Sequence, residues 1–470
     1  MTGSHPSEQP GWGHEAPRAG SPLLTDLYEL NMVASYLRRG MVAPATFSLF
    51  VRRLPPRRGF LVAAGLADCL AYLQELRFDD AELRHLARLG FDDDALDAFS
   101  RLRFTGQVRA VPEGRLVFAE EPLLEVTAPL PEAQLVETYL LNQVSFQTAL
   151  ASKAARCVLA AEGRIELVEF GFRRTHGVEA GMAAARAACM VGFAGTSNVE
   201  AARRYGLTAM GTMAHSYVEV FSEQAAAFSA FACDLPGRTT FLVDTYDTMG
   251  GVADAIAVIK ERGLERAAGV RLDSGDLLAL AARARALLDQ AGLPEVRIFA
   301  SGGLDEEDVA AMVSSGAPID AAGIGTRLGV SADAPYLDTA YKVVEYDGRP
   351  VAKLSTAKTS YPGAKQVFRG EQLHDHLGLA TEPAPAGTRP LLEEVMRGGQ
   401  RTGPAHGPAE LLAAARCRFE ADLAALPAAA RRLVDPLAPA PALTPALRHL
   451  TDTVHAELAA RHPATPNGPG

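Results

Sequence analysis

The chain has little to hold it together except a packed core. Its five cysteines (Cys69, Cys157, Cys189, Cys233 and Cys417) are odd in number, scattered, and form no CxxC pair. That excludes a disulfide framework and a clustered zinc site, and fits a reducing compartment. No uninterrupted apolar run is long enough to span a bilayer. The opening stretch MTGSHPSEQPGWGHEAPRAGSP is polar and lacks the apolar centre of a signal peptide. Basic excess is absent too. Lys and Arg number 46 against 56 Asp and Glu, for a net charge of −10, so no positive field exists to hold nucleic acid. The expectation is a cytoplasmic protein with neither membrane nor nucleic-acid partner.

What is present is ordinary globular composition, 48% hydrophobic and 22% charged over 470 residues. One core seldom serves a chain of that length, so more than one domain is expected. Residues 1–20 and 461–470 read as disordered tails. Residues 21–132 read as an α+β domain: LLTDLYELNMVASYL has helical spacing, while ATFSLFV, QVRAVPEG and PLLEVTAPL read as strands. Residues 133–345 change rhythm. The apolar runs IELVEFGFRR, LTAMGTMAHS, TTFLVDTYD, GVRLDSGD, VRIFASGG and IDAAGIGT each end in a polar or glycine-rich turn and precede a helical stretch. Repeated strand-to-helix units predict a parallel α/β architecture. Polar residues close every run, which favours an irregular TIM-like barrel over an open sheet, because a barrel's active site lies at its strand C-terminal ends. Residues 346–460 read as hairpins and an Ala-rich helix that pack on the N-terminal domain and the barrel.

The chemistry concentrates at those strand ends. His215, in GTMAHSY beside Ser216, has no apolar pattern around it and suits a phosphoryl acceptor, which needs a neutral ring with one free nitrogen. A carboxylate on the other nitrogen would set the tautomer, and Asp244 in VDTYD is the candidate; Asp247 can serve as the helix cap instead. RLDSGD supplies Arg271 for a carboxylate or phosphate and Asp273 for ribose hydroxyls or Mg²⁺. The turns ASGGLD, with Gly302 and Gly303, and GIGTRLG, with Gly325 and Thr326, can offer backbone N–H groups to a phosphate. Neither matches a Walker or dinucleotide fingerprint, so any ATP is held without a P-loop. EFGFRRTHG adds Glu169, Arg173, Arg174 and His176, with the arginine pair a possible anion clamp.

In order and spacing, TDLYELNM, FVRRLPPRRGFLVAAGL, EFGFRRTHG, GTMAHSYVEVF, VDTYDT, VRLDSGDL, SGGLDE and GIGTRLG resemble the nicotinate phosphoribosyltransferase family. The resemblance implies a type II phosphoribosyltransferase fold: an irregular barrel with a smaller domain built from N-terminal and C-terminal segments. It implies that nicotinate, phosphoribosyl pyrophosphate, ATP and water give nicotinate mononucleotide, pyrophosphate, ADP and phosphate, with Mg²⁺, as the first step of NAD synthesis from nicotinate. It implies that His215 is phosphorylated. Tyr28 would lie near the pyridine ring from the partner subunit of a homodimer, with Thr212 and Arg271 near nicotinate and Thr326 at the phosphoribosyl phosphate. Arg173, Ser216, Gly302, Gly303 and Gly325 are placed with the substrate contacts. Thr175-His176 departs from the family pattern and sets a second histidine near the site. Rival readings are a nicotinamide or quinolinate phosphoribosyltransferase, or a non-catalytic phosphate-binding barrel.

Overall fold

The computed structural model describes residues 18–353 and 360–462. The expected tails fall mostly outside this range. Inside it, Arg18 is anchored on Glu82 at 3.0 Å, and the final helix, Pro445–Arg461, reaches residue 461.

A six-stranded parallel sheet forms the barrel wall. In spatial order its strands are Gly195–Thr196, Glu166–Glu169, Ala321–Ile324, Arg297–Ala300, Gly269–Leu272 and Thr240–Leu242. Amphipathic helices separate them in sequence, and the strand-to-helix turns are capped as the sequence predicts. Asp247 accepts from Gly250 N–H to open the helix Thr248–Arg262, and Asp276 caps Leu277–Gln290.

One strand expectation is corrected. LTAMGTMAHS does not form a strand. Only Ala209 makes a parallel bridge, to Thr196, and residues beyond it run extended until His215 opens a short helix, His215–Glu219. No ladder joins this segment to the Thr240 strand among the described residues, so the barrel has a seam there. The two-residue strand Gly195–Thr196 was too short to be read from periodicity.

The smaller domain is a seven-stranded sheet. Within it, Pro44–Val51 pairs antiparallel with the central strand, Pro122–Pro129, on one side and with Thr339–Tyr346 on the other. The last strand lies at the boundary expected near residue 345 and belongs to this sheet, not to the barrel. It turns at Asp347 and Gly348, both with positive φ, into the hairpin that the Asp-Gly pair predicts. Glu393–Arg397 adds to the far edge, so C-terminal chain does complete the N-terminal domain.

The 25-residue helix Glu137–Ala161 ties the two bodies together. Its first half, with Leu140 and Val144, packs in the small domain's core, and its Ala-rich second half packs against the barrel. The helix ends where Glu162 and Gly163 turn left-handed. Lys153 and Arg156 on this helix are buried against Glu306 and Asp333, and Arg58 completes the cluster through two contacts of 2.9 Å to Asp333.

Candidate functional site

Strand parity builds the site. Arg271 points into the barrel, and its guanidinium is almost fully committed. Nε donates to Ser301 Oγ at 2.8 Å, Nη1 to Thr212 Oγ1 at 3.0 Å and to the Met213 carbonyl at 3.3 Å, and Nη2 to Asp273 Oδ1 at 2.6 Å. The ring of Phe170 lies beneath it, 5.6 Å from Cζ to centroid, a cation–π contact. Arg271 thus ties its own strand to the extended segment at the seam. One Nη2 donor remains uncommitted among the described residues.

Asp273 follows directly. Burial pushes its carboxyl upward, but the Ser301 hydroxyl, Arg271 and His215 outweigh that and hold it below the usual carboxylate range. Its Oδ2 lies 3.9 Å from His215 Nε2. His215 Nδ1 is 3.1 Å from Thr245 Oγ1. Asp244, expected to orient the imidazole, is placed elsewhere: its Oδ2 accepts from Asp273 N–H at 3.1 Å and from Ser274 Oγ at 2.6 Å. Its Oδ1 is buried without a hydrogen-bond partner among the described residues.

The two glycine turns meet this cluster. Gly302 has φ +108°, and a Cβ there would lie 1.9 Å from the Asp273 carbonyl oxygen, so only glycine fits. Gly303 also has positive φ, and both are exposed. A Cβ at Gly325 would press on the Phe170 carbonyl at 2.8 Å. Thr326 is exposed at the start of the short helical turn Thr326–Gly329. Its neighbour Arg327 reaches Asp305 at 2.7 Å, and Asp305 caps the helix Glu306–Ser314 after the Gly302-Gly303 turn. That ion pair clamps the two turns together.

Arg173 and Arg174 are exposed on a 3₁₀ turn, Phe172–Arg174, without ion-pair partners among the described residues. His176 is exposed just beyond it and makes no hydrogen bond to His215. Ser216 is exposed on the short helix after His215. Glu169 is buried, bonded to Thr196 and to Gly171 N–H, and shapes the turn rather than facing the mouth. Tyr28 lies on the helix Leu27–Arg38, 49% exposed beside exposed Leu27, and has no hydrogen bond to the barrel residues.

Sequence reasoning thus named Arg271, Asp273, His215, Thr212 and the glycine turns, which the structure brings together. It missed Thr245 and Phe170. Phe170 was legible in principle, since it continues the inward parity of Glu166 and Val168.

Among the described residues, no three His, Cys, Asp or Glu side chains are grouped to hold a metal. The donor set does fit Mg²⁺ bound by one or two carboxylates plus substrate phosphates. Asp273 Oδ2 and the unpartnered Asp244 Oδ1 are the oxygens available.

Comparison with known proteins adds the following. Residues 23–145 match the family model described as nicotinate phosphoribosyltransferase (NAPRTase) N-terminal domain, and residues 165–379 match the one described as nicotinate phosphoribosyltransferase (NAPRTase) family. The chain is 46% identical over 454 residues to nicotinate phosphoribosyltransferase pncB2 of Mycobacterium tuberculosis, covering 94% of this chain and 96% of that one. It is 36% identical to the nicotinate phosphoribosyltransferase of Homo sapiens, over 79% and 82% of the two chains. In structure it is similar to human nicotinic acid phosphoribosyltransferase, with TM-score 0.79, 31% identity, and coverage of 92% and 99%. A nicotinate-nucleotide pyrophosphorylase from Pyrococcus furiosus gives TM-score 0.72 at 26% identity, covering 87% and 99%.

Proposed function

Because the chain belongs to the nicotinate phosphoribosyltransferase family and is an enzyme of that type, we propose that it joins nicotinate to phosphoribosyl pyrophosphate and drives the reaction with ATP through phosphorylated His215. The observation that carries this reading is the Arg271–Asp273–His215 cluster at the barrel mouth, flanked by two clamped glycine turns.

The roles follow from charge. The uncommitted Nη2 donor of Arg271 meets the nicotinate carboxylate, and Thr212 lies beside it. Phe170 offers a ring face to the pyridine. The glycine turns and Thr326 receive the 5′-phosphate. As the bond from ribose C1 to pyrophosphate breaks, the leaving group takes the electron pair and an oxocarbenium-like centre forms. The nicotinate ring nitrogen closes on C1. Exposed Arg173 meets the departing anion. Mg²⁺, held by Asp273 with Asp244, would supply further positive charge to the pyrophosphate.

ATP enters at His215. With Nδ1–H donating to Thr245 Oγ1, the lone pair stays on Nε2. Nε2 takes the γ-phosphoryl group as the bond to ADP breaks. Water later cleaves the N–P bond and releases phosphate. The phosphoryl group brings close to two negative charges into the mouth. We assign Tyr28 to the pyridine ring of a partner subunit's site in a homodimer, since its side chain is exposed beside exposed Leu27.

Product analysis tests the reading. Nicotinate, nicotinamide and quinolinate are each supplied with phosphoribosyl pyrophosphate and Mg²⁺, with and without ATP. Nicotinate mononucleotide from nicotinate, increased by ATP, is expected. Preference for either other pyridine overturns the substrate. Label transfer from γ-labelled ATP to a His215→Ala variant at the wild-type level overturns the acceptor.

A further inference from the structure

Barrels of this kind are closed inside by layers of bulky branched side chains. This one is not. On the parity that turns Arg271 and Phe170 inward, the lower positions carry Gly269, Ala321 and Thr240. The remaining two are charged: Glu166 and Arg297 face each other at 3.5 Å, with side chains 37% and 52% exposed. Three small residues and a surface ion pair stand where a packed layer belongs. The result is a cavity of about 160 Å³, lined by these residues and reaching up to Phe170, Phe299 and Thr212. Its mouth is at the strand N-terminal ends, on the opposite face from His215 and the glycine turns.

The roof is aromatic and shared with the site above. Phe170 and Phe299 stack with centroids 5.5 Å apart, and Gly323 leaves them the room, since a Cβ there would lie 2.7 Å from the Phe170 ring. Arg271 Cζ also lies 5.6 Å from the centroid of the Phe170 ring. An apolar cavity of roughly 150 Å³ is enough to hold one benzene ring. Here the ring would enter below the phenylalanine pair. Arg297 at the mouth has a single, long contact to Glu166, so its guanidinium can turn to meet a carboxylate bidentately.

We propose that the barrel floor is a second binding site, distinct from the substrate mouth, for a small planar aromatic acid. An occupant packs under Phe170 and Phe299 and pairs its carboxylate with Arg297. Because Phe170 and Arg271 also shape the substrate site, binding below lowers turnover without competing for the substrate position. The coupling rests on the function proposed above; the binding itself does not.

The probe is 3-fluorobenzoate, which lacks a ring nitrogen and so cannot be ribosylated. Its binding to the full-length protein is followed by ¹⁹F NMR, and its inhibition is measured against varied nicotinate. Ala321→Leu fills the floor and Arg297→Gln removes the carboxylate partner; neither residue belongs to the substrate site. Wild type is expected to bind two equivalents and to lose kcat as well as apparent affinity. Each variant is expected to bind one equivalent, with the kcat effect weakened about tenfold or more and kcat/KM for nicotinate without the probe unchanged. The proposal is overturned by purely competitive inhibition in wild type, by a kcat effect that survives both variants, or by a floor that holds only water. If the protein makes no nicotinate mononucleotide, the activity reading fails, while the count of bound fluorobenzoate still decides the floor site.

Discussion

His215 Nδ1 sits 3.1 Å from the hydroxyl of Thr245 and not against a carboxylate. A hydroxyl can donate to or accept from Nδ1, and it anchors the ring without adding negative charge at that nitrogen. Asp244, the residue just before, is turned away and holds the Asp273 backbone instead. Thr245→Val should therefore slow phosphohistidine formation about fivefold, the worth of one neutral hydrogen bond, while Thr245→Ser keeps the wild-type rate. Label incorporation from γ-labelled ATP measures it; equal rates for Val and wild type would remove Thr245 from the mechanism.

Asp244 and Asp273 should separate kinetically. Asp273 faces both Arg271 and His215, so Asp273→Asn should cost on the order of 10² in kcat, as loss of a preorganised electrostatic contact does. Asp244→Asn keeps the shape and one acceptor but weakens the hold on Asp273 and the Mg²⁺ site. Its expected signature is a higher Mg²⁺ requirement, read from activity against Mg²⁺ concentration, with a smaller loss at saturation.

The contrast shows what the sequence could and could not carry. Arg271 and Asp273 were legible because one short motif sets both at a strand end. The helices after Asp247 and Asp276 were legible because capping is local. The partner of His215 was not, since Thr245 and Asp244 are adjacent and only the turn decides which of them faces the imidazole. Arg58 and Asp333 lie 275 positions apart, and no local pattern announces such a pair. The segment at Leu207–Ala214 alternates like a strand, but only Ala209 finds a bridging partner, so no ladder forms. The place of Thr339–Tyr346 in the N-terminal sheet is likewise a matter of long-range pairing.

Gly302→Ala tests the close approach of the two turns. Its Cβ would meet the Asp273 carbonyl at 1.9 Å, at a φ that side chains avoid. The strain displaces Asp273 and the N–H groups of the turn together. Loss of activity of roughly 10²-fold or more is expected, because a misplacement of about 1 Å costs that much. The circular dichroism spectrum should stay native. Near-normal kinetics would show that the turn is not part of the site.

A pH effect is expected at the base of the Tyr28 helix. Glu29 is buried, and Gln134 Nε2 reaches both Glu29, at 2.6 Å, and Glu137, at 3.0 Å. Burial, then the Glu29 charge, pushes Glu137 up to about 7, with Lys342 opposing; Glu29 is raised as well, chiefly by burial. A raised carboxyl keeps its proton to higher pH in the folded state than when unfolded. The contribution of these two to stability is therefore full below about pH 4.5 and is lost as pH rises toward 7. Glu137→Gln should match wild type in melting temperature at pH 5 and exceed it at pH 8, by on the order of 1–2 kcal/mol after screening at a half-buried site. Equal melting temperatures at pH 8 would refute the raised Glu137 carboxyl.

The buried charges behind the glycine turns give the last prediction. Glu306 receives Arg156 Nε at 2.8 Å and the Lys153 ammonium, and it opens the helix that follows the Gly302-Gly303 turn. Asp333 is held down at about 2; burial pushes the other way, but Arg58, Lys153 and Arg156 outweigh it. Glu306→Ala leaves Lys153 and Arg156 buried with only Asp333 to balance them, at 3.5 Å and 3.9 Å. Removing one partner of a buried pair typically costs about 3–5 kcal/mol. A lower melting temperature is expected, and so is a higher KM for phosphoribosyl pyrophosphate, because the helix start that positions the turn is released. Glu306→Gln retains the shape but not the charge and should lie between. If Glu306→Ala lowered stability but left that KM unchanged, the cluster would brace the domain interface without setting the phosphate turn.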